Sequence, residues 1–210
     1  MKLFCRYMSV QALIQDGNLF IASACSDGVI RILKLDNSQK IILLKETEVL
    51  PNAILKTLHM NQNVFLSANT IGICTVRDFT SLEKICEITK LHQSGVNSLI
   101  LLNSDIIISG GDDGTISVSN LKSKTVIFKK HAHSAHVTGL AKINEKYFVS
   151  CSVDQRISVW KYQNDSFVLF CQFFSHVPDI QDLKLWTNER KIIISVFGDG
   201  FEIFEIYFAF

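Results

Sequence analysis

The stretch Ser150-Cys-Ser-Val-Asp-Gln-Arg-Ile-Ser-Val-Trp160 decides the fold class of this chain. It contains the end of one apolar strand, a polar turn and a second, alternating strand, which is the pattern of a β-hairpin. Four other stretches repeat the pattern, each beginning at a serine: Ser23–Ile32, Ser67–Val76, Ser109–Val118 and Ser195–Phe204. The five serines are separated by steps of 44, 42, 41 and 45 residues. Regular spacing of this length indicates one supersecondary unit copied along the chain.

Further apolar runs flank each hairpin, for example Val96–Leu102 before the third hairpin and Thr125–Phe128 after it. Four short strands per repeat, without helical periodicity between them, are typical of a β-propeller blade of the WD type. We therefore predict an all-β WD-type β-propeller of about five blades, each with four antiparallel strands. It would be one domain over residues 1–210, with repeats at about 6–48, 49–90, 91–131, 132–174 and 175–210.

Closure of the propeller is left open by the sequence, because seven blades are the usual number for WD repeats and only five repeats are found. In one alternative, Leu3–Tyr7 supplies the outer strand of the last blade and closes a small ring. In the other, the chain is a partial propeller. Exposed sheet edges and faces would then need a covering partner.

Composition excludes several classes of protein. The chain has 210 residues, 48% of them apolar, and a formal net charge of +1, so intrinsic disorder is excluded as the main description. An independent nucleic-acid binder needs clustered Lys and Arg, and no such cluster occurs. Six cysteines without a Cys-x-x-Cys pair predict free thiols in a reducing compartment. No run of 18 apolar residues is present, so we predict a cytoplasmic protein with no membrane partner.

Four residue types recur in well-formed WD repeats: a His before the first strand, the Ser of the second, the turn Asp, and a Trp ending the third. A buried chain of hydrogen bonds joins them, because each buried polar group left unpaired costs about 1–3 kcal/mol. Ser119 and Glu205 stand at the tryptophan position of the third and fifth repeats, and the first two repeats are degenerate. The predicted structural residues are His133, Ser150, Asp154 and Trp160 in the fourth repeat; His92, Ser109 and Asp113 in the third; and His176, Ser195 and Asp199 in the fifth.

A catalytic interpretation of these residues would be a hydrolase triad. A catalytic site would not be copied in each blade, so we predict a structural role and no catalytic residues. The cluster His131, His133 and His136 could bind zinc, but His133 belongs to the structural set and no Cys or carboxylate completes a ligand set nearby. We predict no metal and no cofactor, and the turn Gly110–Gly114 is interpreted as a hairpin turn.

One ordered set of motifs resembles a particular WD family. It comprises His92–Leu99, Ser109–Gly114, Ala132–Gly139, Ser152–Trp160 and Val177–Leu183 followed by Trp186. The set resembles the C-terminal part of the WD-repeat regulatory subunit of an FtsJ-type tRNA ribose 2′-O-methyltransferase. Members of that family are much longer, with more than one propeller.

The resemblance implies a non-catalytic adaptor that binds an FtsJ-type tRNA 2′-O-methyltransferase and helps position tRNA for methylation of the wobble nucleotide. Contact with tRNA would be indirect or made through the complex. His136, Arg156, Asp179 and Asp182 are not explained by the structural set, and we predict them as the interaction surface. Two alternatives remain: a generic WD scaffold for another complex with no link to tRNA, and a metal-assisted hydrolase built on the histidine cluster.

Overall fold

The structure, a computed structural model, describes residues 6–15, 17–36, 38–61, 63–187 and 191–207. These residues form antiparallel strands only, arranged in five sheets whose strand order follows the chain. The predicted fold class is confirmed: the sheets are the blades of an all-β WD-type propeller. Each sheet lies within one predicted repeat.

The strands divide among the sheets as follows: sheet 1 has β1 (Tyr7–Gln15), β2 (Asn18–Cys25), β3 (Ile30–Leu35) and β4 (Ile41–Glu46); sheet 2 has β5 (Ile54–Asn61), β6 (Val64–Asn69), β7 (Cys74–Asp78) and β8 (Lys84–Ile88); sheet 3 has β9 (Val96–Leu101), β10 (Ile106–Gly111), β11 (Thr115–Asn120) and β12 (Thr125–His131); sheet 4 has β13 (Val137–Lys142), β14 (Tyr147–Ser152), β15 (Arg156–Gln163) and β16 (Ser166–Phe174); sheet 5 has β17 (Asp182–Thr187), β18 (Lys191–Gly198) and β19 (Gly200–Tyr207).

Sheet 5 corrects one expectation and bears on one of the two alternatives for closure. Within the described residues it has three strands rather than the predicted four. Tyr7 does not belong to it either, because Tyr7 begins β1 and pairs with Cys25 in sheet 1. Residues 3–5 of the proposed closing strand lie outside the described residues. Tyr7 is therefore used by the first blade.

The chain divides into two compact units, Met1–Val96 and Asn97–Phe210. The core of the first unit is formed where Ala22, Ile30 and Ile32 of sheet 1 pack against Phe65 of sheet 2 and Phe79, which directly follows β7. Alternation along each strand brings these side chains to one face. That the two units form one domain over residues 1–210 stays a prediction, because it depends on how the units associate.

Among the described residues of the second unit, buried apolar clusters lie on both faces of sheet 4. Ile108 and Val118 of sheet 3 pack with Phe148 and Trp160 on one face. On the other face, a second cluster joins sheets 4 and 5; its fully or largely buried members are Val149, Cys151, Ile157, Val159, Val177, Ile180, Leu183, Ile192, Ile194 and Val196. Strands covered on both faces need apolar side chains at successive positions, which explains the unbroken apolar runs in the sequence.

Tight turns join the second and third strands of the first four sheets, and each has one residue with positive φ. Gly28, Gly72 and Gly114 have φ between 70° and 77°, and Gln155 has φ 64° at the corresponding place in sheet 4. At Gly72, a Cβ atom would lie 2.1 Å from the carbonyl oxygen of His92. Glycine is required there both for the backbone conformation and for this close approach.

Five of the six cysteines are described, and all five are free thiols. Burial raises the pKa of Cys74 and of Cys151 to about 12, so both thiols stay protonated at neutral pH. The described residues include no helix long and apolar enough to cross a bilayer.

His59 in β5 is a polar ring within the aromatic core of the first unit. Its centroid lies 5.2 Å from that of Phe79 and 6.4 Å from that of Phe65. Both ring nitrogens are buried without a hydrogen-bond partner among the described residues. Desolvation therefore lowers the pKa of His59 below its ordinary value of 6.5.

Replacing His59 with phenylalanine is expected to stabilise the chain by about 1 kcal/mol at neutral pH, because it removes unpaired buried polar atoms. A depressed His pKa gives stability that is complete above pH 6.5 and is lost as pH falls toward the folded-state pKa. The advantage of His59→Phe should therefore grow between neutral pH and mildly acidic pH. Urea denaturation at several pH values measures it. The exposed His131→Gln substitution is the control, and a pH-independent difference between His59→Phe and wild type would contradict the prediction.

Candidate interaction surface

The structural set of the fourth repeat is brought together in sheet 4. His133 precedes β13, and its Nε2 lies 2.7 Å from Ser150 Oγ in β14. Its Nδ1 lies 3.1 Å from Asp154 Oδ1 in the turn after β14. Trp160 in β15 donates from Nε1 to Ser150 Oγ over 2.7 Å. The four residues form one continuous chain of hydrogen bonds from the turn to the core.

The electrostatics of this chain follow from burial and local donors. Desolvation lowers the pKa of His133, and this effect outweighs the opposing charge of Asp154. Burial alone would raise the pKa of Asp154, but the backbone amides of Ser134 and Arg156 donate to the carboxylate, and together with His133 they lower it. At neutral pH a neutral imidazole thus faces an ionised carboxylate. Both carboxylate oxygens accept hydrogen bonds, so Asp154 fixes the turn.

The third repeat keeps the buried positions but not the tryptophan. His92 and Ser109 are buried, and Asp113 accepts hydrogen bonds from the amide and the hydroxyl of Thr115. Ser119, at the tryptophan position, is fully buried, and its hydroxyl has no hydrogen-bond partner among the described residues.

The fifth repeat does not form the predicted hydrogen-bond chain. The side chain of His176 is 95% exposed and lies 3.2 Å from Glu202 through Nδ1. Ser195 is buried, and its hydroxyl has no hydrogen-bond partner in the part of the chain that the structure describes. Asp199 forms a backbone contact with Pro178, from its amide to the carbonyl oxygen. Predicting a linked His176, Ser195 and Asp199 was therefore wrong.

Strand alternation accounts for this difference. Ile194 and Val196 face sheet 4 and join its core, so Ser195 between them points to the opposite face of sheet 5. Ser150 points toward the side of sheet 4 that carries Trp160, which is the side facing sheet 3. A one-residue difference in register thus places Ser195 on the face of sheet 5 that points away from sheet 4, whereas Ser150 faces the preceding sheet.

His136 lies just before β13 with a side chain that is 60% exposed. Its Nδ1 is 3.4 Å from Asp112 Oδ1, and Asp112 also accepts a hydrogen bond from Asn97 Nδ2 over 2.6 Å. These three residues connect the start of β9, the turn after β10 and the segment that leads into sheet 4. Sequence reasoning missed Asn97 and Asp112, because no sequence spacing brings them to His136.

Arg156 begins β15, and its guanidinium carbon lies 5.6 Å from the ring centroid of Phe174 on the paired strand β16. The ring of Phe174 is 64% exposed. A cation–π pair with an exposed aromatic ring is the type of anchor found at the centres of protein interfaces. Phe174 is a functional candidate that the sequence did not single out.

The two aspartates of the predicted surface differ from each other. Asp179 is exposed, has φ 46°, and forms no side-chain hydrogen bond or ion pair among the described residues. Asp182 accepts a hydrogen bond from the Leu183 amide and pairs with Lys184 Nζ at 2.9 Å. Asp182 is thus engaged locally, whereas Asp179 is available to a partner.

The four predicted residues share one end of sheets 4 and 5. His136 and Asp182 stand where β13 and β17 begin, and Arg156 begins β15, which runs parallel to β13. Thr138 connects the starts of β13 and β17, because its Oγ1 donates to the carbonyl oxygen of Ile180 over 2.8 Å. The surface is charged and aromatic, and no set of three or more His, Cys, Asp or Glu residues placed to hold a metal occurs in the described ranges.

A family model described as WD domain, G-beta repeat matches residues 84–119 and 123–161. Over these two stretches the chain has the WD-repeat pattern. Curated relatives confirm the resemblance stated from the motifs. The chain is 26% identical over 264 residues to the tRNA (34-2′-O)-methyltransferase regulator WDR6 of Rattus norvegicus, covering 96% of this chain and 24% of the relative. It is 27% identical over 260 residues to the regulator of the same name in Homo sapiens, covering 96% of this chain and 23% of the relative.

The WD-repeat chain therefore spans about a quarter of the length of these curated relatives. Their name describes regulators of a tRNA methyltransferase.

Proposed function

We propose that this chain is a non-catalytic WD-repeat adaptor that binds an FtsJ-type tRNA 2′-O-methyltransferase and helps position tRNA for ribose methylation of the wobble nucleotide. The observation that carries the proposal is the match of 96% of the chain to proteins named as regulators of tRNA (34-2′-O)-methyltransferase. The methyl-transfer chemistry belongs to the partner. The adaptor works in the cytoplasm.

The end of sheets 4 and 5 is the surface proposed for the methyltransferase. Arg156 with Phe174 supplies an exposed cationic and aromatic anchor, and Asp179 supplies a carboxylate with no side-chain partner among the described residues. Interfaces depend on a few such residues rather than on the whole contact area. The net charge of +1 gives little attraction for a polyphosphate, so tRNA is held mainly through the assembled complex.

Arg156→Ala and Asp179→Ala are each expected to weaken recovery of the methyltransferase about tenfold in a pull-down from the native cells. Neither substitution breaks a side-chain hydrogen bond of the described fold, so circular dichroism should stay unchanged. Lys124→Ala, an exposed substitution elsewhere, is the matched control. Full recovery of the partner by both variants would remove this assignment of the surface.

A further inference from the structure

Arg77 in β7 occupies the place of the missing tryptophan in the second repeat. It follows Ser67 by the same interval that separates Trp160 from Ser150. Its Nε donates to Ser67 Oγ over 3.4 Å, as the indole of Trp160 donates to Ser150. Its Nη1 donates to the carbonyl oxygen of Leu82 over 3.0 Å. The guanidinium thus takes over the polar role of the indole.

The charge of Arg77 has no close counter-ion. The residue is 8% exposed, both of its hydrogen-bond acceptors are neutral, and no carboxylate lies within 4.0 Å among the described residues. Arg77 Nη2 forms no hydrogen bond with any of the described residues. Burial lowers the pKa of Arg77, and the more distant charge of Glu87 only partly opposes this effect. A buried cation without a counter-ion favours the binding of an anion.

Arg31 of sheet 1 provides the contrast within the same unit. It is 6% exposed, and its Nη2 lies 2.7 Å from Asp27 while its Nε lies 3.1 Å from Glu46. The hydrogen bond to Asp27 is the main reason that the pKa of Arg31 is raised. The fold therefore supplies carboxylates to one buried arginine and none to the other.

Arg77 borders an open cleft of about 320 Å³ in the first unit. Polar groups of Asn69 and Thr75 line it beside the guanidinium, and Leu50, Pro51 and Ile71 form apolar walls. Ile71 is 50% exposed. At the rim, Lys84 Nζ pairs with Glu87 Oε2 at 3.0 Å, so Arg77 is left as the one unmatched charge among the described residues lining the cleft.

We propose that this cleft binds the carboxylate of an Asp or Glu side chain from a protein partner, with the Arg77 guanidinium as its ligand. Arginine holds a carboxylate through parallel N–H donors on two of its nitrogens, and here Nη2 has both donors uncommitted while Nη1 uses only one of its two for Leu82. The apolar walls accept aliphatic residues beside the acidic one. An RNA strand would need several cations, whereas Glu87 at the rim repels phosphates. The site goes beyond the proposed function, because the proposal does not depend on which protein supplies the carboxylate.

The test uses two peptides that differ only in charge, acetyl-Leu-Glu-Leu-amide and acetyl-Leu-Gln-Leu-amide, added to the ¹⁵N-labelled full chain. The glutamate peptide is expected to shift the Arg77 Nε–H resonance saturably at millimolar concentration. The glutamine peptide should bind about tenfold more weakly. Arg77→Gln should reduce binding of the glutamate peptide to the level of the glutamine peptide. Lys124→Gln, which removes one exposed charge elsewhere, should leave binding unchanged.

Equal binding of the two peptides, or no shift of Arg77 with either, would overturn the proposal. Inorganic phosphate and oligouridylate test the competing ligand class. A shift of Arg77 by either at lower concentration than the glutamate peptide also overturns it. If Arg77→Gln does not fold, the peptide pair on the wild-type chain still decides the outcome, and Arg77→Lys supplies a charged variant without the planar donors. Loss of methyltransferase binding in other experiments would not affect any of these results.

Discussion

Replacing Trp160 with alanine is expected to lower the free energy of unfolding by about 4 kcal/mol, the largest effect of any single substitution considered. The indole is 2% exposed and contacts the rings of Phe148 and Phe167, whose centroids lie 6.4 Å and 5.1 Å away. Its loss leaves a cavity in the core between sheets 3 and 4. It also removes the N–H donor to Ser150.

Urea denaturation followed by far-UV circular dichroism measures this effect. Trp160→Phe separates its two parts, because it keeps most of the packing and should cost about 1–2 kcal/mol for the lost hydrogen bond. Trp186→Ala is the matched control, since that indole is 56% exposed and its removal should cost about 1 kcal/mol or less. Equal costs for Trp160→Ala and Trp186→Ala would contradict the described role of Trp160.

Replacing Gly72 with alanine is expected to destabilise the first unit by about 3 kcal/mol. A left-handed conformation costs a non-glycine residue about 1–2 kcal/mol, and φ at Gly72 is 76°. The new Cβ would also lie 2.1 Å from the carbonyl oxygen of His92 and 2.8 Å from its carbonyl carbon, so the backbone leading into β9 must move. This backbone displacement adds about 1 kcal/mol to the destabilisation.

Gly17→Ala separates these two causes within the same unit. Gly17 has φ 73°, and nothing lies within 4 Å of its hypothetical Cβ. Its substitution should therefore cost only the conformational part, about 1 kcal/mol. The midpoint of urea denaturation gives both values. Equal destabilisation by Gly17→Ala and Gly72→Ala would show that the contact with His92 does not matter.

The fold was predictable from the sequence because the repeated hairpins leave a local signal. A serine, a turn and an alternating strand recur at nearly constant spacing, and each predicted repeat contains one sheet. The same regularity identified His133, Ser150, Asp154 and Trp160, which the structure joins by hydrogen bonds. Local patterns with fixed spacing are the part of a structure that a sequence encodes most directly.

The candidate surface was less predictable, since it depends on contacts between distant segments. Ser195 fits the repeat by spacing. Its neighbours Ile194 and Val196 face sheet 4, however, so strand alternation directs Ser195 to the other face of sheet 5. Asp112, which accepts a hydrogen bond from Asn97, reaches His136 only through the packing of sheets 3 and 4. The role of Arg77 was not predicted from the sequence. The spacing of the repeats does not show that a guanidinium replaces an indole, or that it lacks a counter-ion.

The central proposal is that this chain regulates ribose methylation of the wobble nucleotide of tRNA. Mapping 2′-O-methylation of tRNA in cells that lack the protein tests it most directly, with the wild-type protein restored as the control. The account predicts that methylation of nucleotide 34 is lost and returns on restoration, while other ribose methylations stay unchanged. Unchanged methylation of nucleotide 34 would contradict the account and favour a generic WD scaffold with no link to tRNA.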